Sequence, residues 1–272
     1  RARLGLDKPL PVQYGIFIRD VLHGNFGKSY IYGKPAMDLI FERMPATLEL
    51  VAVAACLVLC IAIPLGVYAG AYPKRASSKL IMSGSILGIS LPSFWVGMMM
   101  IYIFAVVLRL LPASGRGNTV MVGNVALSIF APGGIRYVIL PAITLALTNV
   151  ATMLRLTRSG ILENMRQDYI KFARAKGVPA KSILFGHALK NALIPVVTIF
   201  GMDLGNMIAF TTITETIFAW PGMGKLLIDA INKSDRPIIV AYLMAAACMF
   251  VVLNFIVDIL YKIGRASCRE RV

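Results

Sequence analysis

Residues 46–72 form an apolar run interrupted only by Thr47 and Glu49, and this run narrows the fold further than any other feature. At about 1.5 Å per helical residue it crosses a hydrocarbon layer of about 30 Å. Lipid offers backbone N–H and C=O groups no partner, so such a run has to be helical. Runs at 80–111, 137–155, 191–213 and 238–261 repeat the property. Five spans predict an all-α membrane protein, a polytopic helical bundle. The second run holds Pro92 with Ser83, Ser85, Ser90 and Ser93, which predicts a kinked helix whose small residues permit close packing.

Orientation follows from the loops. Residues 72–79 hold Lys74, Arg75 and Lys79 without an acid, and 155–190 hold eight Lys/Arg against Glu163 and Asp168. Residues 112–136 carry only Arg116 and Arg136, and 214–237 balance Lys225, Lys233 and Arg236 with Glu215, Asp229 and Asp235. Short basic loops stay in the cytoplasm. That places residues 1–45 outside, as an extramembrane segment following a missing first span, with Val12, Tyr14, Ile18 and Leu22 sharing a helical face. Residues 46–262 are the membrane domain with a cytoplasmic loop at about 156–190, and 263–272 (IGRASCRERV) are read as a non-native tail.

Several function classes drop out. The formal net charge of +15 suggests nucleic acid, but many of its lysines and arginines lie in short loops beside apolar runs, where they meet lipid headgroups and fix topology. No basic stripe interleaved with aromatics marks a nucleic-acid surface. Cys56, Cys60 and Cys248 sit in apolar runs without ligand spacing, and His23 and His187 are too few for a metal cage. HGNFGKSY at 23–30 has Leu22 where a phosphate loop needs glycine, and GMGKL at 222–226 has Leu226 where it needs Ser or Thr. An intramembrane enzyme is the rival class, and the chain shows no HExxH or GxSxG.

The stretch 168–195, DYIKFARAKGVPAKSILFGHALKNALIP, is built for a partner in water. A helix starting near Asp168 brings Phe172, Ala175 and Lys176 together; Gly177 ends it with a positive φ and Pro179 prevents its continuation. A second helix restarts around Ile183 and leads into the fourth span. The docking residues are Ala173, Arg174, Ala175, Lys176, Gly177, Val178, Pro179 and Lys181.

This stretch resembles the cytoplasmic EAA coupling loop of ABC importer permeases, in the ARAKG…HALxNAxxPV form of the dipeptide, oligopeptide and nickel permease family. Ala173, Gly177 and Leu189 match the general pattern, whereas Lys171 and Phe172 replace Glu-Ala, and His187 and Lys190 replace Ile and Pro. GLDKPLPVQY (5–14), GNFGKSY (24–30), RMPATLEL (43–50), SLPSFWVG (90–97), LPA (140–142) and ETIFAWPGMGKLLIDAI (215–231) extend the resemblance in order along nearly the whole chain.

The resemblance implies a type I ABC importer permease with five of six spans present, in a bacterial or archaeal cytoplasmic (inner) membrane. It implies a second permease subunit, two ABC ATPases and an extracytoplasmic substrate-binding protein as partners, beside membrane lipid and no nucleic acid. This chain would hold no cofactor, with ATP and Mg on the ATPases, and the cargo would be di- or oligopeptides, or alternatively nickel or a metal chelate.

Four residues are candidates for the substrate path. Asp203 lies mid-span, where an ionisable group is a functional hypothesis by default, the alternative being a buried acid bonded to nearby Thr or Asn. Thr144, Thr148 and Thr152 share a helix face and either line a polar path or bond to backbone. Glu215, Trp220, Pro221 and Gly222 are candidates for an external gate, with interfacial anchoring of Trp220 as the alternative.

Overall fold

The computed structural model describes residues 9–123 and 125–269 of the protein, with side chains described as far as Val257 and at Ile259. The tail expected at 263–272 falls outside the described side chains. Helix α1 (Leu10–Leu22) precedes a long α2 (Ala36–Ala71). Then come α3 (Ala76–Ser90) and α4 (Ser93–Met100), the latter continued by a π-helical stretch Ile101–Val107. A hairpin of β1 (Val120–Val122) and β2 (Val125–Leu127), with Val120 opposite Leu127, adds a small departure from the all-α expectation. Helices α5 (Ile135–Asn164) and α6 (Asp168–Ala175) follow. Helix α7 (Ala180–Ser182) passes through a π-helical turn, Ile183–Ala188, into α8 (Leu189–Ile217), and α9 (Met223–Asn232) and α10 (Arg236–Arg269) follow.

Among the described residues, four continuous stretches are long and apolar enough to cross a membrane: Ala36–Ala71, Ile135–Asn164, Ala180–Ile217 and Arg236–Val257. The pair α3 and α4 meets the same criterion but bends by 104°. What the sequence suggested as a kink at Pro92 is a complete break. Leu91 precedes a proline and is driven out of the helical region, to φ −87° and ψ 131°, and Pro92 is itself extended before the helix resumes at Ser93.

The broken pair still crosses. Before it, the end of α2 packs on Ile161 of α5; after it, the 116–129 loop is hydrogen-bonded to Glu49 near the other end of α2. Glu49 and Gly70 are separated by about 32 Å of helix, the thickness of the hydrocarbon layer. The pair therefore carries the chain from one membrane face to the other.

Helix α2 starts at Ala36, behind the extended Pro35, rather than at residue 46. The apolar run is thus the membrane part of a longer rod. Glycines set its closest approach. Gly66 and Gly70 face Thr157 and Ile161 of α5, where an added Cβ would come within 2.7 Å of each neighbour's Cβ. Gly201 and Gly205 of α8 repeat the four-residue spacing against Val257 and Phe250 of α10. Apolar side chains gain little by leaving lipid for one another, so small residues that let backbones approach drive helix association here.

Among the described residues, three apolar clusters stack along the bundle. The largest runs from the external end into mid-membrane and joins Leu50, Val58, Val138, Leu145, Met153, Val196 and Met207 with Trp220. An external cluster gathers Ile40, Met223, Leu226, Ile238 and Tyr242, and a cytoplasmic one gathers Val67, Ile161, Ile170, Ile183 and Ala192. Helix α1 buries no residue: Tyr14 and Leu22 of its expected apolar face are 66% and 80% exposed.

Candidate functional site

Helices α4, α5 and α8 line an open cavity of about 370 Å³ at mid-membrane depth, most of whose lining residues are polar. Three of the four path candidates line it from α5, Thr144, Thr148 and Thr152, and Asp203 faces them from α8. Thr144 Oγ1 donates to Leu140 O at 2.9 Å and Thr152 Oγ1 to Thr148 O at 3.2 Å, so these threonines bond their own helix and line the cavity at once. Asp203 is half-buried and takes a hydrogen bond from the Asn206 side chain. The bonded acid expected as the alternative is thus present, on a residue that also lines the cavity.

The cavity also contains Ser93, Asn149, Asn206 and Thr214, which the sequence reading missed. Their signal was positional. Residues 203, 206, 207, 210 and 214 recur at helical spacing along one face of α8, and Asn149 adjoins Thr148. Ser93 is present because the break at Pro92 turns the start of α4 toward α5.

The external end is held by three buried acids. Glu49 Oε2 accepts Arg116 Nε at 2.9 Å and its second nitrogen, while Glu49 Oε1 accepts the amides of Ser128 and Ile129 at 2.6 Å each and Ser128 Oγ at 3.0 Å. Arg116 also donates to Ala126 O and lies 5.7 Å from the Trp220 ring centre. This pair went unrecognised in the sequence, although Glu49 was one of only two polar interruptions of its run. Asp235 accepts Ser29 Oγ at 2.5 Å and fastens the 24–35 segment to the start of α10.

Glu215, the third acid, sits at the head of α9. Its Oε1 accepts Thr47 Oγ1 at 2.6 Å and its Oε2 the Lys225 amide at 2.9 Å, with the Gly224 amide also directed at the carboxylate. An anion at a helix N-terminus satisfies amides that have no partner within the helix. Gly222 leaves room for it, since a Cβ there would collide with the carboxylate oxygens. Trp220 is fully buried and donates Nε1–H to Ala46 O at 2.9 Å. It is a plug between α2 and α8, which removes the alternative of an interfacial anchor. The Trp220–Gly222 turn closes over Glu215 as one packed unit with Thr47, whose Oγ1 in turn accepts the Met223 amide at 2.8 Å.

At the cytoplasmic end, α6 terminates as its sequence predicts. Gly177 has φ +79°, its N–H bonds Arg174 O at 3.0 Å, and the Val178 N–H reaches back to Ala173 O at 3.2 Å. That double closure is the Schellman arrangement, for which a left-handed residue is required. Ile170 is fully buried, and Ala173 and Val178 pack partly against the same cluster. Those two docking candidates are turned inward as supports. Arg174, Ala175, Lys176, Gly177, Pro179 and Lys181 remain exposed, and Lys176 Nζ lies 4.6 Å from the centre of the exposed Phe172 ring. Lys171 donates to Asp168 at 2.8 Å and holds its carboxyl below the usual carboxylate range. The unbroken helical path from Ala180 into α8 links this surface mechanically to Asp203.

Residues 62–267 match the protein family described as the binding-protein-dependent transport system inner membrane component. The chain belongs to that family. The permease is 37% identical over 285 residues to the probable D,D-dipeptide transport system permease protein DdpB of Escherichia coli (strain K12), a match covering 98% of this chain and 84% of that protein. It is 40% identical over 262 residues to the oligopeptide transport system permease protein AppB of Bacillus subtilis (strain 168), covering 96% and 81%. Among solved structures it is similar in fold to a chain of the MetNI methionine ABC transporter in an inward-facing conformation, with TM-score 0.65 and 15% identity over 83% of this chain and 96% of that one. The permease is a multi-pass transport subunit of an ABC importer in the cytoplasmic membrane, working with a substrate-binding protein and with an ATPase carried on a separate subunit.

Proposed function

We propose that the permease passes di- and oligopeptides through the cavity between α4, α5 and α8, and that an ATPase docked on residues 174–181 drives alternating access. The observation that carries the cargo is the identity of 35–40% over nearly the whole chain to permeases named for dipeptide and oligopeptide transport. The polar lining of the cavity supports the same reading, because a peptide brings amide groups that need partners inside a membrane. The nickel alternative has no comparable support.

A second permease subunit faces this one, two ATPases bind ATP and Mg below the pair, and the binding protein delivers cargo to the external layer built by 112–134 and 215–235. Closure of the ATPases moves the exposed turn around Gly177. The α7–α8 rod transmits that displacement to the cavity, and the packed unit of Glu215 and Trp220 steadies the external end. ATP-driven uptake of labelled Ala-Ala and of nickel(II) by proteoliposomes holding the complete importer tests the cargo. Peptide uptake without nickel uptake is expected, and nickel uptake without peptide uptake overturns the reading.

A further inference from the structure

On the α5 wall of the cavity, Thr144, Asn149 and Thr152 present hydrogen-bond acceptors, while the hydroxyls of Ser93, Thr148 and Thr214 elsewhere on the lining can turn as donor or acceptor. Thr144 and Thr152 direct their hydroxyl hydrogens at Leu140 O and Thr148 O, and Asn149 Nδ2 is bonded to Leu145 O at 3.2 Å. What these three groups leave for a visitor is lone pairs on Thr Oγ1 and on Asn149 Oδ1. The carboxylate of Asp203 accepts from Asn206 and has acceptor sites to spare. Among the described residues, no Lys, Arg or His lines the cavity. An intramembrane acid without a cationic neighbour marks a substrate or ion path.

The lining selects the kind of cation. Asp203 is the single carboxylate of the cavity, and among the described residues no three His, Cys, Asp or Glu side chains gather as a metal site requires. A primary ammonium needs one charge partner and carries three donors, which suits a carboxylate ringed by hydroxyl and amide oxygens. Leu145, Met207 and Phe210 supply apolar surface on the same walls, so that a charged head and an organic body find separate neighbours.

We infer that Asp203, with the acceptors of Thr144, Thr152 and Asn149, forms a subsite for the free α-ammonium terminus of a peptide in transit. The inference rests on the peptide reading and names the part of the cargo that this site recognises.

The test has two arms. In proteoliposomes with the complete importer, Asp203→Asn is expected to lower Ala-Ala uptake at least tenfold and Asp203→Glu to restore most of it, with co-elution of the ATPase showing that each variant is assembled. In the purified permease–ATPase complex without binding protein, Ala-Ala is expected to raise the Tm of the wild type. N-acetyl-Ala-Ala is expected to leave it unchanged, and Asp203→Asn to abolish the response. Absence of Ala-Ala uptake by the wild type overturns the peptide reading and this inference with it. Wild-type uptake matched by an assembled Asp203→Asn, an equal response to the acetylated peptide, or no response to either, overturns the ammonium subsite and leaves the peptide reading standing.

Discussion

Glu49 of α2 and Arg116 of the external loop form a buried ion pair, their side chains 1% and 11% exposed, between a membrane helix and a segment distant from it in sequence. Burying two charges is unfavourable unless the remaining acceptor sites are filled, and here Ser128 and Ile129 fill them. The pair locks the external layer to the rod that runs through the membrane to the cytoplasmic cluster.

Removing either partner strands the other. Arg116→Met or Glu49→Gln is expected to cost about 3–5 kcal/mol of stability. The double variant should be less damaged than the sum of the two, since neither charge is then left alone. Thermal melting of the detergent-solubilised permease in a double-mutant cycle measures the coupling; additivity of the two losses contradicts the pairing.

Glycines at the α2–α5 contact give a matched comparison. Gly66→Ala places a methyl 2.7 Å from Thr157 Cβ and 2.8 Å from Leu154 O, and overpacking of this kind costs about 1–3 kcal/mol. Gly84→Ala meets nothing within 4 Å and is expected to gain up to about 1 kcal/mol from helix propensity. Opposite shifts of Tm are the expected result.

Gly177 tests the docking turn. A β-branched residue at φ +79° carries a backbone penalty of about 1–2 kcal/mol or more, whereas asparagine tolerates the left-handed region. Gly177→Val is expected to lose most of the ATPase that co-purifies with the permease, and Gly177→Asn to retain it. Equal retention by both separates docking from the geometry of this turn.

Gly222 and Glu215 report on the external layer. Gly222→Ala drives a methyl into the Glu215 carboxylate, which cannot retreat without releasing the amide at the head of α9 and the Thr47 hydroxyl. Faster proteolysis at residues 216–235 is expected, and Glu215→Gln should show a milder form of it.

The fold was legible where one physical constraint acts alone. Apolar length gave the spans, and Gly177 with Pro179 gave the end of α6, because both are local properties of the chain. The depth of the break at Pro92 was not legible, since a proline within an apolar run is equally compatible with a continuous kinked helix. The cavity was read in part. Thr144, Thr148 and Thr152 announce a polar face by spacing within one helix, and Asp203 announces itself by charge. Asn206 and Ser93 become cavity residues only through the packing of three helices. The external layer was the least accessible, because Glu49 and Arg116 are joined by a tertiary contact that no local pattern records. For the same reason Glu215 and Asp235, counted in sequence among the loop charges, prove to be buried anchors.

The claim that cargo passes between α4, α5 and α8 is tested most directly by filling that space. Thr148 is exposed to the cavity, so Thr148→Trp occupies it without displacing the apolar core. ATP-driven uptake of labelled Ala-Ala by proteoliposomes holding the complete importer is the measurement, with assembly confirmed by co-elution of the ATPase. The account predicts a fall of at least tenfold with the complex intact; uptake at the wild-type rate through an assembled Thr148→Trp importer contradicts it.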